Sequence, residues 1–181
     1  SLWNASRPGL SGTNVSAAQA SDLDSFSSFL SAHYGFSTGP YEGYDLNPNS
    51  DKGTVKLDYN INNNHKLTVK YNYLDSYRDV VPSTSGAIGN TRSPGQTGMP
   101  FLAAYYRINN NLNSASAELN STIGNKFSNK VQIGFSAFRD FREIPTSTLA
   151  FPMVDIGNGS NNFLTAVGTE PFSANNILNT D

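Results

Sequence analysis

From Thr54 the chain alternates strictly, with Val55, Leu57, Tyr59 and Ile61 on one parity and Lys56, Asp58 and Asn60 on the other. A period of two predicts a β-strand with one apolar and one polar face. After the Asn-rich stretch from Asn62 to His65 the alternation resumes, with Leu67, Val69, Tyr71 and Tyr73 against Thr68, Lys70 and Asn72, so residues 54–74 are predicted to form a hairpin. A turn closing symmetrically sets Leu57 opposite Tyr71, Tyr59 opposite Val69 and Asp58 opposite Lys70, cross-strand pairs worth about 0.2–1 kcal/mol each. A second hairpin, over residues 112–138, repeats the form: Ala115, Ala117, Leu119 and Ile123, then Val131, Ile133, Phe135 and Ala137, alternate with polar neighbours on either side of GNKFSN.

Other stretches lack this period. The opening SLWNASRPGLSGTNVSAAQA is small and polar, as in a loop. In SDLDSFSSFLSAHYG, apolar positions recur every three or four residues, Ser21 or Asp22 offers an N-cap and Gly35 a stop, predicting a short helix over about 22–33. Residues 1–51 are thus expected to be a loop region carrying one helix. Residues 75–107 and 142–170 are expected to be long loops, rich in Gly, Pro, Ser and Asn, and the last residues to begin another strand. Connections of this length commonly serve as lids or binding loops.

Both short turns fall at one end of the strands and every long connection at the other. Outer-membrane barrels combine short periplasmic turns with long extracellular loops, and carry aromatic girdles at both interfaces. Tyr71, Tyr73 and Tyr77, with Phe138 and Phe141, climb toward the long loops, and Phe127 sits at a short turn. The expected fold is therefore all-β: antiparallel strands forming a segment of a large transmembrane β-barrel, residues 52–181, with a short helix in a long extracellular loop. Four or five strands do not close a barrel, and open edges in lipid leave backbone groups unsatisfied, so further strands are expected.

Composition narrows the chemistry. Only 14% of residues are charged and the formal net charge is -2, which excludes a general basic patch for nucleic acid. Aromatics at 12% argue against disorder. Cysteine is absent, removing disulfides, thiolate metal sites and cysteine nucleophiles. His33 and His65 belong to no metal motif, and Ser173 and the other serines sit in no nucleophile elbow, so no catalytic residue, metal or cofactor is expected. Asp22–Asp24, Asn49–Asp51 and Asp155–Asn158 are oxygen-rich, but none matches a calcium loop, and Asx-turns account for them. The first ten residues lack the basic and apolar regions of a signal peptide, as in a mature or truncated chain.

The strings HKLTVKYNYLDSYRDVVPS, YRINNNLNSASAELNS, NKVQIGFSAFRDFRE, FPMVDIGNG and GTEPFSANN resemble the barrel region of TonB-dependent receptors of Bacteroidota, particularly the Oar-like group with an N-terminal carboxypeptidase-regulatory-like domain. The likeness runs from about Phe36 onward. It implies a barrel of about 22 strands in the cell outer membrane, an internal plug, energy from TonB and often a lipoprotein lid. A TonB box, a plug and the regulatory-like domain are not recognisable in this sequence.

Lys56, Asp58, Lys70, Glu118 and Lys130 share the polar parity of their strands and are expected to face the lumen, where substitutions tune selectivity. No cluster of one sign stands out among them. Arg78, Arg92, Tyr105, Tyr106 and Arg107, with Arg139 and Arg142, are expected in the long loops as contacts for carboxylates, sugar rings or acidic groups. The function expected is uptake of a nutrient, with outer-membrane lipid around the wall and no nucleic acid. The alternative is a surface-exposed β-sandwich or adhesin-like module recognising glycan or protein.

Overall fold

The computed structural model describes residues 2–124, 126–144 and 151–169, and the backbone of 176–180. It is mostly antiparallel β, with one α-helix among the described residues. In chain order the elements are β1 Asn4–Ser6, β2 Val15–Gln19, α1 Ala20–Tyr34, β3 Asn49–Asn62, β4 His65–Val80, β5 Tyr106–Ile123, β6 Phe127–Glu143, β7 Val154–Gly157, β8 Phe163–Val167 and β9 Asn176–Thr180. The chain divides into a loop unit, Ser1–Asn47, Arg78–Ile108 and Arg142–Asn175, and a sheet unit, Pro48–Tyr77, Asn109–Phe141 and Asn176–Asp181. Residues 145–150 and 170 of the expected 142–170 loop, and Ser173, lie outside the described residues.

The sheet unit is an open meander in the order β3-β4-β5-β6-β9. β3 pairs antiparallel with β4, and β6 with β9. Tyr71 Oη donates to Asn113 (2.7 Å), Ser76 Oγ to the Asn110 carbonyl (3.2 Å) and the Thr122 N–H to the Asn64 carbonyl (2.8 Å), a falling register that makes β4 and β5 antiparallel too. The strands run 14, 16, 18 and 17 residues, longer than the alternation predicts. The extra length lies toward the long connections, where Ser50 pairs with Ser76 and Asp51 with Asp75. The hydrogen-bond ladder continues there, but both faces are polar and the apolar alternation fades.

The first hairpin closes on Asn63 and Asn64, and its register differs from the symmetric expectation. Leu57 faces Val69, Tyr59 faces Leu67, Asp58 faces Thr68 and Lys56 faces Lys70. The cause is a bulge: Asn60 pairs with Lys66 and Asn62 with His65, leaving Ile61 unopposed. The Asn64 N–H donates to Asn62 Oδ1 at 2.8 Å, an Asx-turn that holds the tight loop. The slip is two residues rather than one, so each side chain keeps the face its parity assigned.

The apolar face of this sheet is uncovered. Val55, Leu57, Tyr59, Ile61, Val69, Tyr71, Tyr73, Ile123, Phe127, Val131, Ile133 and Phe135 are 41–70% exposed. In the continuous strand β6, Phe138 is even-numbered and shares the lysine side, so it stands apart from Phe141 and from the girdle expected to include both.

The loop unit has its own core. Leu23, Leu30, Phe36, Met99, Phe101 and Val167 are buried, with Trp3, Phe26, Tyr41 and Phe151 packed against them. α1 starts at Ala20 behind Gln19, which makes no side-chain cap, because β2 runs straight into it; Ser21 and Asp22, the expected caps, lie in its first turn. It ends as the sequence predicts. Gly35 is left-handed (φ 63°), its N–H reaches the Ser31 carbonyl (3.0 Å) and the Phe36 N–H reaches Leu30 (3.3 Å). Phe36 is thereby turned inward to stack on Phe151, ring centroids 4.6 Å apart.

The opening residues, expected as loop, contain the parallel pair β1–β2. Its buried side is Ala5, Ser16 and Ala18, an alternation too small in bulk to register as an apolar pattern. The 75–107 segment is likewise no open lid. Its central part packs onto β8, the Met99 N–H donating to Leu164 (2.8 Å) and the Phe101 N–H to Ala166 (2.9 Å). Gly98 permits this approach, since a Cβ there would lie 2.5 Å from the Leu164 carbonyl oxygen.

Candidate functional site

The polar parity of β3–β6 collects on one face of the sheet. Lys56 and Asp58, Lys66, Thr68 and Lys70, Ser116, Glu118 and Asn120, and Gln132 line a hollow of about 640 Å³. Toward the short turns a second hollow, about 720 Å³, is lined by Asn60, Asn62, His65, Lys66, Ser121 and Lys130. The five residues expected to share the lumen side therefore do share a face. Lys66 belongs with them and was legible too: every lysine in the chain, at 52, 56, 66, 70, 126 and 130, is even-numbered.

Two carboxylates organise this face. Asp58 lies 3.0 Å from Lys56 Nζ and 3.4 Å from Lys66 Nζ, and accepts from Thr68 Oγ1 at 2.6 Å. Glu118 lies 2.7 Å from Lys130 Nζ and accepts from Asn120 Nδ2 at 2.6 Å. All are solvated, so these ion pairs contribute little to stability. Among the described residues no carboxylate lies within 4 Å of Lys70, which stands directly opposite Lys56. Near the short turns His65 Nδ1 and Ser121 Oγ are 2.8 Å apart, and among the described residues no acid is bonded to the pair.

Of the residues expected as loop contacts, Arg92 and Tyr105 lie in the connection between β4 and β5 and the others do not. Arg78, Tyr106, Arg107, Arg139 and Arg142 are on strands. Arg78 is exposed on β4, Arg107 holds Asp79 through two hydrogen bonds (2.7 and 3.0 Å), and the Arg142 guanidinium lies 5.3 Å over the Tyr106 ring. Arg139 lies 5.0 Å over Phe141. Arg92 is buried: Nε and Nη2 grip Asp155 at 2.7 Å each, and Nη1 bonds the Ser83 and Ser85 carbonyls. Tyr105 is buried as well, accepting from Tyr44 Oη at 2.8 Å. Burial pushes both phenols above their ordinary pKa. Arg92 and Tyr105 thus pack within the loop unit, 8% and 1% exposed.

The oxygen-rich fragments are also spent locally. Asp155 is held by Arg92, Asn158 Oδ1 accepts from the Ser160 N–H (3.0 Å), and Asn49 Nδ2 donates to Asp51 (3.1 Å). Among the described residues no three His, Asp or Glu gather as a metal site. Two apolar hollows in the loop unit, about 230 Å³ beside Trp3, Tyr44 and Tyr105 and about 220 Å³ beside Leu23, Phe26 and Ile156, fall below the range of roughly 300–1,000 Å³ usual for ligand pockets. Comparison with protein-family models, curated proteins and solved structures finds no match.

Proposed function

We propose that this chain forms part of the wall and external loops of a TonB-dependent receptor of the Oar-like group, a nutrient transporter of the cell outer membrane. The main support is the uncovered apolar face of the β3–β6 sheet, whose aliphatic and aromatic side chains suit acyl chains. A soluble sandwich would place a second layer over that face. Apolar positions run from Val55 to Ile61, Leu67 to Tyr73, Ala115 to Ile123 and Phe127 to Ala137. At about 3.4 Å per residue and a tilt near 40° they span roughly 16–26 Å, against about 25 Å for an outer-membrane band.

In this assignment Tyr71 and Tyr73 mark the outer interface and Tyr59 and Phe127 the periplasmic one. Further strands pair with the outer edges of β3 and β9 to complete the barrel. Cargo passes the polar face without covalent chemistry, and TonB and a lipoprotein lid act through the whole protein. The test is single-cysteine labelling in membranes. Positions 55, 57, 69, 133 and 135 should react with a lipid-soluble probe, and positions 56, 70 and 132 with a water-soluble one. Reversed sets, or a protein monodisperse without detergent, would overturn the proposal in favour of a binding module.

A further inference from the structure

Around the two hollows of the polar face stand four ammonium groups, Lys56, Lys66, Lys70 and Lys130, and two carboxylates, Asp58 and Glu118, an excess of two positive charges there. Both carboxylates are already engaged, Asp58 by Lys56 and Lys66 and Glu118 by Lys130. Register places Lys70 directly opposite Lys56. Like charges directly opposed destabilise a sheet, so this pair costs stability wherever no anion sits between them. Around it Thr68, Asn72, Ser116 and Gln132 supply neutral hydrogen-bonding groups on the wall of the same open hollow of about 640 Å³.

We infer that this face binds a polyanionic solute, one bearing several carboxylate or phosphate oxygens, with Lys56 and Lys70 as its principal contacts. The inference rests on the transport proposal and deepens it by naming the charge class of the cargo. Lys70 is the uncommitted donor. Lys56 turns from Asp58 toward the ligand while Lys66 stays with Asp58, so binding needs no rearrangement of the backbone.

The test is calorimetric titration of the full chain in detergent with citrate and, separately, tripolyphosphate; a preference between them separates carboxylate from phosphate cargo. The expected result is binding that weakens with salt and falls about tenfold or more in K56Q/K70Q, the loss of at least one charge-assisted contact. D58N or E118Q should tighten it several-fold, and K126Q, in the turn, should leave it unchanged. Equal melting temperatures across the set show that the variants fold. Citrate and tripolyphosphate affinities indifferent to K56Q/K70Q, or equal binding of spermidine, would overturn the inference. So would capture of an acidic peptide with neither small anion bound, which assigns the face to a protein partner. Lipid-probe labelling at positions 55 and 133 is read in parallel: labelling retained with no anion bound sinks the anion site alone, and labelling lost sinks the transport proposal.

Discussion

Phe101 and Phe135 belong to the same chain and the same residue type, yet one is fully buried and the other 57% exposed. The contrast holds across their units. In the loop unit, aromatic and aliphatic groups close on one another through ring contacts such as Phe36–Phe151 and Tyr41–Phe101. In the sheet unit, a ladder of Val, Leu, Ile, Tyr and Phe turns outward with nothing from its own sheet above it. On the transport proposal, apolar residues buried against protein and apolar residues left bare answer to different solvents, and the difference sets where each unit is sensitive to substitution.

Breaking the loop unit should have the largest effect. Arg92→Met leaves the largely covered Asp155 carboxylate uncompensated, an expected loss of about 3–5 kcal/mol. Limited proteolysis within residues 81–105 reads it, and Arg92→Met with Asp155→Leu should recover most of the loss. Phe101→Ala should cost a similar 3–5 kcal/mol, whereas Phe135→Ala in detergent should stay within about 0.5 kcal/mol. Denaturant titration that returned equal values for the two would erase the contrast. On the transport proposal, Ile133→Lys should cost about 2–4 kcal/mol of folding into liposomes while Gln132→Lys, one residue away on the other face, should cost almost nothing. The smallest effect is alkaline. Burial raises the Tyr44 and Tyr105 phenols above their usual 10.0, so their contribution to stability is complete below pH 10 and is lost as pH rises beyond it toward the folded pKa. A melting curve at pH 11 should therefore show a drop that Tyr105→Phe reduces.

The strands were legible where bulk and polarity alternate, from Val55 to Ile61 and from Val131 to Ala137, because sheet pairing there carries a two-faced pattern. They were illegible where Asn, Ser and Asp occupy both faces, as at 49–52 and 109–111, since the backbone ladder there leaves no imprint on side-chain type. The first register was misjudged because nothing in Asn60–His65 marks Ile61 as the residue left without a partner. The lysine face could be read from parity alone, yet the opposition of Lys56 and Lys70 depends on that bulge. The burial of Arg92 and Tyr105 was not legible because polarity and turn residues around them hide a core assembled from segments far apart in sequence.

Ile61 has a bearing on how this hairpin tolerates change in length. Removing that one residue would turn the irregular closure into a plain two-residue loop and leave every pairing from Asn49–Tyr77 to Asn60–Lys66 as it stands. Removing Asp58 instead would invert every residue on one side of the cut, sending lysines to the greasy side. Gains and losses of single residues in the lineage of this chain should therefore collect at positions 61–64, and the ribbon on either side should keep its count.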